Sequence, residues 1–237
     1  MASEFAGKVV LITGASGTIG SQICQHFLEL GATVCAQANT SPIASQQNLH
    51  ILNLDFSQSN AAQSIMENAL SVSGKIDYLI NNAANQEVFP LSDATAENVE
   101  KVLRINVSIP AQLIALASKA GVKVCLNISS IEANSARPGH AIYGASKAAL
   151  DSLTRSAGLE LAPMRTLGLR LGLVGKPGID EAWPEGVNAW KAASPLARYA
   201  QATEVCGVVE FLLSSKNAWA TGSTYDFDGG IATKANW

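Results

Sequence analysis

Tyr143 and Lys147 stand four residues apart in Ala-Ile-Tyr-Gly-Ala-Ser-Lys, and Ser130 precedes the tyrosine by thirteen residues. From Tyr143 to about Leu161 the chain has helical periodicity, so residues four apart share a face and the ammonium lies near the phenol hydroxyl. A nearby cation stabilises a phenolate. It brings the tyrosine proton, ordinarily lost near pH ~10, toward the range in which proton transfer is efficient. The chemistry on offer is that of a tyrosine acting as acid or base. A Tyr and a Lys at this spacing also occur on ordinary helices, so the rest of the chain has to decide.

A second segment, Thr13-Gly14-Ala15-Ser16-Gly17-Thr18-Ile19-Gly20, follows an aliphatic run and opens a helical pattern. Glycines there let the backbone turn sharply. They also let a pyrophosphate approach the free N–H groups and positive dipole end of the helix. Strand, glycine turn and helix in this order are the context that a dinucleotide-binding turn requires.

The elements that must position these residues can be read from periodicity. Apolar runs recur at Val9 to Thr13, Thr33 to Gln37, Leu49 to Leu54, Ile76 to Ile80, Val122 to Ile128, Leu167 to Val174 and Thr224 to Phe227. Helical patterns fall at Ile19 to Leu30, Ala61 to Val72, Ala96 to Ala120 with a break near Pro110, Ala141 to Leu161 and Thr203 to Leu213. The alternation predicts a single-domain α/β protein with a Rossmann-type, doubly wound sheet of about seven parallel strands flanked by helices. Between Gln37 and Leu49 the chain is polar, contains Pro42 and is too short for a helix, so a loop is expected. Gly175 to Ala197 has no obvious element but holds Trp183 and Trp190, and is expected to cover a ligand.

Composition narrows the function classes. The chain has 237 residues, 48% of them apolar and 15% charged, which suits a sheet buried on both faces. A net charge of -3 with scattered Lys and Arg excludes a nucleic-acid backbone as partner. Cys24, Cys35, Cys125 and Cys206 lie far apart without metal-ligand spacing, so buried thiols and no metal site are expected. No apolar run reads as a signal peptide or bilayer span, and a cytoplasmic protein with no membrane partner is expected.

With Leu54-Asp55, Asn81-Asn82-Ala83-Ala84, Asn106, Thr221-Gly222 and Asp228-Gly229-Gly230 added in order, the chain resembles the short-chain dehydrogenase/reductase family over nearly its whole length. The resemblance implies a tetrad of Asn106, Ser130, Tyr143 and Lys147. Tyr143 would be the general acid in reduction and base in oxidation, and Ser130 would hold the reacting oxygen. Lys147 would bind the nicotinamide ribose and acidify Tyr143, while Asn106 would fix a water leading to solvent. Cofactor contacts would come from Gly14, Ser16, Gly17, Thr18, Ile19, Gly20, Asp55, Phe56, Asn82, Ala83, Ala84, Tyr143, Lys147, Val174 and Gly175. Asn81 and Asn82 read equally as braces for the central strand. Two departures from the family pattern stand out: Ala84 as fourth residue of its motif, and Gly175-Lys176-Pro177-Gly178 where a Pro-Gly pair usually follows the strand.

Cofactor choice turns on the end of the second strand. Ala38 stands where an acidic residue would repel a 2'-phosphate, and Asn39, Thr40 and Ser41 could donate to one. NADP(H) is weakly favoured over NAD(H). The implied substrate is a small carbonyl compound or alcohol, and the implied assembly a homotetramer or dimer. A cover with two tryptophans suggests a substrate with hydrophobic or aromatic bulk. His140 reads as a solvated helix-start residue, and Glu132 is left open. Reduction of a C=C bond or an imine on the same scaffold is the chemical alternative, and a non-catalytic dinucleotide sensor or scaffold the other.

Overall fold

Parallel pairing runs through every strand of a single seven-stranded sheet. In chain order the strands are β1 (Val9–Ile12), β2 (Thr33–Ala38), β3 (Leu49–Asn53), β4 (Tyr78–Asn81), β5 (Val124–Ser130), β6 (Arg165–Leu171) and β7 (Thr224–Phe227). They lie in the order β3-β2-β1-β4-β5-β6-β7, all neighbours parallel. The chain winds outward from β1 to β3, then returns to β4 on the other side of β1. That reversal opens a crevice beyond the carboxyl ends of β1 and β4, where sheets of this kind take ligands. This computed structural model describes residues 3–39 and 41–233.

Alternation along the strands feeds two cores. Val10 and Ile12 face one layer, where Ile23 and Phe27 of α1 (Thr18–Glu29) and Val205 and Val209 of α8 (Ala202–Leu213) are buried. Val9 and Leu11 face the other, packed with Ile65 of α2 (Ala61–Ser73) and Leu113 of α4 (Ile109–Lys119). Helix α5 (Ala141–Glu160) lies over β5 and β6 on that second side. Both faces are dry, which is why the strands read as near-continuous apolar runs.

The expected loop between β2 and β3 carries no helix in its described residues. The long helical pattern from residue 96 is interrupted near Pro110, as its sequence suggests. α3 (Ala96–Leu103) passes into a π-helical turn at Arg104–Ser108, and Pro110 sits in the first turn of α4, where its missing N–H is no loss. One expectation needs correction: the stretch after β6 is less bare than it reads. It folds into α6 (Ile179–Ala182) and α7 (Pro184–Ala193), each too short for periodicity to reveal. No described helix is long and apolar enough to cross a membrane, and no metal-binding cluster exists among the described residues.

The turn after β1 is tightly constrained. A Cβ at Gly20 would lie 2.2 Å from the Gly14 carbonyl oxygen, and one at Gly14, which has φ +64°, would lie 2.7 Å from the Ala83 Cα. Both obstacles are backbone and cannot swing aside. Gly20→Ala is therefore expected to lower unfolding stability by about 2–4 kcal/mol. Urea denaturation measures this, and an unchanged midpoint would refute the close packing.

Candidate active site

The glycine turn is braced from three sides. Asn82 Nδ2 donates to the carbonyls of Thr13 (2.9 Å) and Gly14 (3.1 Å), and Thr13 Oγ1 accepts from the N–H groups of Asn82 and Ala83. Gln37 of β2, missed by the sequence reasoning, is buried here. Its Oε1 accepts from Gly14 N at 2.9 Å and its Nε2 donates to Leu54 O at 2.8 Å. Helix α1 then begins at Thr18, after Gly17, with no side-chain cap and no acidic residue in its first turn. Its leading N–H groups are left for an outside acceptor.

A cavity of about 730 Å³ lies beside that helix end, lined by Ser16, Thr18, Gln22, Gly175, Lys176 and Tyr199. A second, of about 330 Å³, is bordered by Ala15, Ser16, Gln22, Pro42 and Ile43. Free helix-end donors, open space and Lys176 together fit the phosphates of a dinucleotide. Ala38 is buried at the end of β2 and Asn39 is exposed beyond it, while Thr40 lies outside the described residues. Asp55 accepts from Ser57 N at 2.8 Å, and this bond, with help from the Ser57 hydroxyl, holds its carboxyl below the usual value. Phe56 is buried and its carbonyl accepts from Arg104 Nε at 2.6 Å. Ala84 is exposed. Val174 bridges Ala200, and the Gly175 N–H is taken by the Ala200 carbonyl at 2.8 Å, so it is not a free donor.

At the carboxyl end of β5, Ser130 is buried close to Tyr143 on α5. Lys147, one turn along the helix, is 2% exposed and donates through Nζ to Ile128 O at 2.8 Å. Its Nζ stands 5.6 Å from the Tyr143 ring centre. Asn106, in the π turn, is also buried. It accepts from Asn85 N and donates to Asn85 O and Ser146 Oγ, which uses both amide hydrogens. Its side chain thus pins the loop after β4 to α5. The structure brings all four residues of the expected tetrad to one end of the sheet.

A family model described as enoyl-(acyl carrier protein) reductase matches residues 14–232. L-xylulose reductase of Bos taurus is 30% identical over 242 residues, covering 96% of this chain and 98% of that protein. The chain belongs to the short-chain dehydrogenase/reductase family. Two solved structures align closely with this short-chain dehydrogenase/reductase, each 26% identical. One is a blue fluorescent protein from a metagenomic library in complex with NADPH, with TM-score 0.87 over 97% of this chain and 100% of that one. The other is NAD+-bound xylitol dehydrogenase, with TM-score 0.85 over 96% and 100%.

Electrostatics at the tyrosine differ from the sequence expectation. Burial pushes the Tyr143 phenol above its ordinary value. Hydrogen bonds with Gln86 and Ser130 act the other way, and the Glu132 charge adds to the rise. Burial also pushes Lys147 down to about 8, against the pull of Asp151. Burial outweighs the pull of Lys147 on Tyr143, because desolvation penalises the charged form of each and drives both toward neutrality.

Around the tyrosine lie residues the sequence reading undervalued. Gln86 Nε2 donates to the Tyr143 hydroxyl at 3.2 Å. His140 is not solvated: its side chain is 11% exposed, and Nδ1 lies 2.9 Å from Glu132 Oε2. Trp183 is stacked under the Arg137 guanidinium at 4.6 Å, and Arg137 reaches Glu132 at 3.5 Å. Trp190 packs against Gly172 and donates to Arg198 O, so it is a prop for α7 and not a free wall of the pocket. The contacts of Gln86 with Tyr143 and of Arg137 with Trp183 join separate segments, and the pairs on Glu132 arise from how the connection between β5 and α5 folds, so none leaves a spacing signal.

Lys147 links stability to pH. Between about pH 8 and the unfolded value of 10.5 the unfolded chain holds a proton that the folded one has released, so stability rises with pH in that window. The stability of the native protein relative to Lys147→Met is expected to grow by about 2 kcal/mol from pH 8 to pH 10. Urea titrations of both at the two pH values test it, and a constant difference would contradict the buried, depressed lysine.

Proposed function

We propose that this short-chain dehydrogenase/reductase transfers a hydride between a nicotinamide dinucleotide and the carbon of a secondary alcohol or ketone, with Tyr143 as general acid and base. The observation that carries the reading is the buried Tyr143 hydroxyl, close to Ser130, with Lys147 one turn away and the phosphate-fitting helix end of α1 in the same crevice. The bovine relative, named for reducing a sugar ketone, and the two nucleotide-bound neighbours support it.

When bound, the dinucleotide would supply or accept the hydride. In reduction, Ser130 holds the substrate oxygen and Tyr143 gives it a proton as charge develops there. A phenol kept protonated by burial suits that direction. In oxidation the same group must first lose its proton. Lys147, buried beside the ring, then meets the phenolate as a cation and limits its cost.

Ala38, with no carboxylate, supports acceptance of a 2'-phosphate, and no Lys or Arg among the described residues lines the smaller cavity to reward one strongly. The preference for NADP(H) is accordingly mild.

Fluorescence titrations are expected to show NADPH binding more tightly than NADH by less than about tenfold. Binding of neither would end the oxidoreductase reading. Tyr143→Phe should cut kcat by about 10²–10⁴-fold while nucleotide still binds, whereas a sensor would be unaffected. Rate profiles should diverge with pH: reduction flat through neutrality and falling in alkali, oxidation rising into alkali. An oxidation rate already at its plateau at pH 7 would contradict the raised phenol.

A further inference from the structure

We propose that Gln86 and His140 select substrates bearing hydroxyl groups next to the reacting carbon, a polyol or hydroxyketone class, with Glu132 as the positioning residue for His140. The proposal rests on the oxidoreductase reading above. If Ser130 and Tyr143 take the reacting oxygen, the next polar groups a substrate meets are those packed against them. Gln86 Nε2 is 3.2 Å from the Tyr143 hydroxyl, and its amide makes no other hydrogen bond among the described residues. Glu132 donates its backbone N–H to Ser130 Oγ at 3.2 Å, which places its side chain beside the serine. His140 stands edge-on to Tyr143 with ring centres 6.1 Å apart.

The Glu132 and His140 contact is one-sided. Glu132 Oε2 and His140 Nδ1 are buried, 2.9 Å apart, and out of line for a full hydrogen bond. A carboxylate against Nδ1 draws the ring proton to that nitrogen, which leaves Nε2 as an acceptor. Nε2 has no partner among the described residues and is not among the buried unpaired atoms. It is therefore open to a ligand hydroxyl. An unsubstituted ketone would strip water from Nε2 and from the Gln86 amide and return nothing, while flanking hydroxyls would pair with both. The aromatic wall that suggested a bulky apolar substrate is not free, because Trp183 already carries Arg137 on its face.

The test compares a four-carbon ketose with 2-butanone, matched in carbon number, using NADPH and NADH. In the native protein the ketose is expected to have a kcat/KM at least about thirtyfold higher. His140→Phe keeps the ring and Gln86→Leu keeps the bulk. Each should lower that ratio by about tenfold, chiefly through the KM for the ketose, and Glu132→Gln should have a smaller effect in the same direction. Nucleotide fluorescence reports whether each variant is folded. A native ratio near one would overturn the proposal, as would a high ratio unchanged in both His140→Phe and Gln86→Leu. Nucleotide binding without turnover of either ketone, in a protein that does reduce an α,β-unsaturated ester, would instead overturn the parent reading and the proposal with it.

Discussion

A buried run of side-chain hydrogen bonds anchors the helix that carries the tyrosine. Asn81 on β4 donates to Asn127 on β5 at 2.8 Å, Asn127 donates to Thr154 on α5 at 2.9 Å, and Thr154 returns a bond to Leu150 O. These groups are shut away from water, where an unpaired amide is costly, so this arrangement of strands and helix pairs all but Asn81 Oδ1 and a slipped one would lose the rest. Asn106 repeats the device nearer the site by joining Asn85 to Ser146. Ser130, Tyr143 and the loop after β4 consequently share one frame. The glycine turn is fastened to that frame through Asn82.

The same dryness sets the electrostatics. Lys147 is enclosed with one carbonyl partner, and Tyr143 has its hydroxyl among Gln86, Ser130 and the Glu132 charge. A lysine lowered to about 8 and a phenol raised above its usual value are two results of one cause. Such a pair holds its proton on the oxygen and keeps a cation within reach, which is the state a proton donor needs. The polar rim of Gln86, Glu132 and His140 is less enclosed and is free to answer to a ligand.

Much of this was legible in the chain. The seven strands, the lack of a helix among the described residues between β2 and β3, and the glycine turn follow from local pattern, because apolar runs and glycine placement act over a few residues. The order of Gly14 to Gly20, Asn106, Ser130, Tyr143 and Lys147 marked the family for the same reason: each motif is a short segment whose spacing survives in the sequence. Corrections fall where spacing says nothing. The π turn at Arg104–Ser108 lies inside a continuous helical pattern, and α6 and α7 are too short to leave one.

What the sequence by itself determined is the fold class and the family, and the four residues proposed as a tetrad were singled out on the same grounds, since all of these rest on periodicity and on residue order. What only the tertiary structure decided is the environment of those residues. Gln37 under the glycine turn and Gln86 against the tyrosine join segments that the chain brings together only when the sheet closes, and the contact between Glu132 and His140 depends on how the connection from β5 to α5 folds. The direction of the Tyr143 shift was decided there too. Helical spacing sets the distance to a lysine, but burial sets the price of charge, and burial is a property of the whole fold.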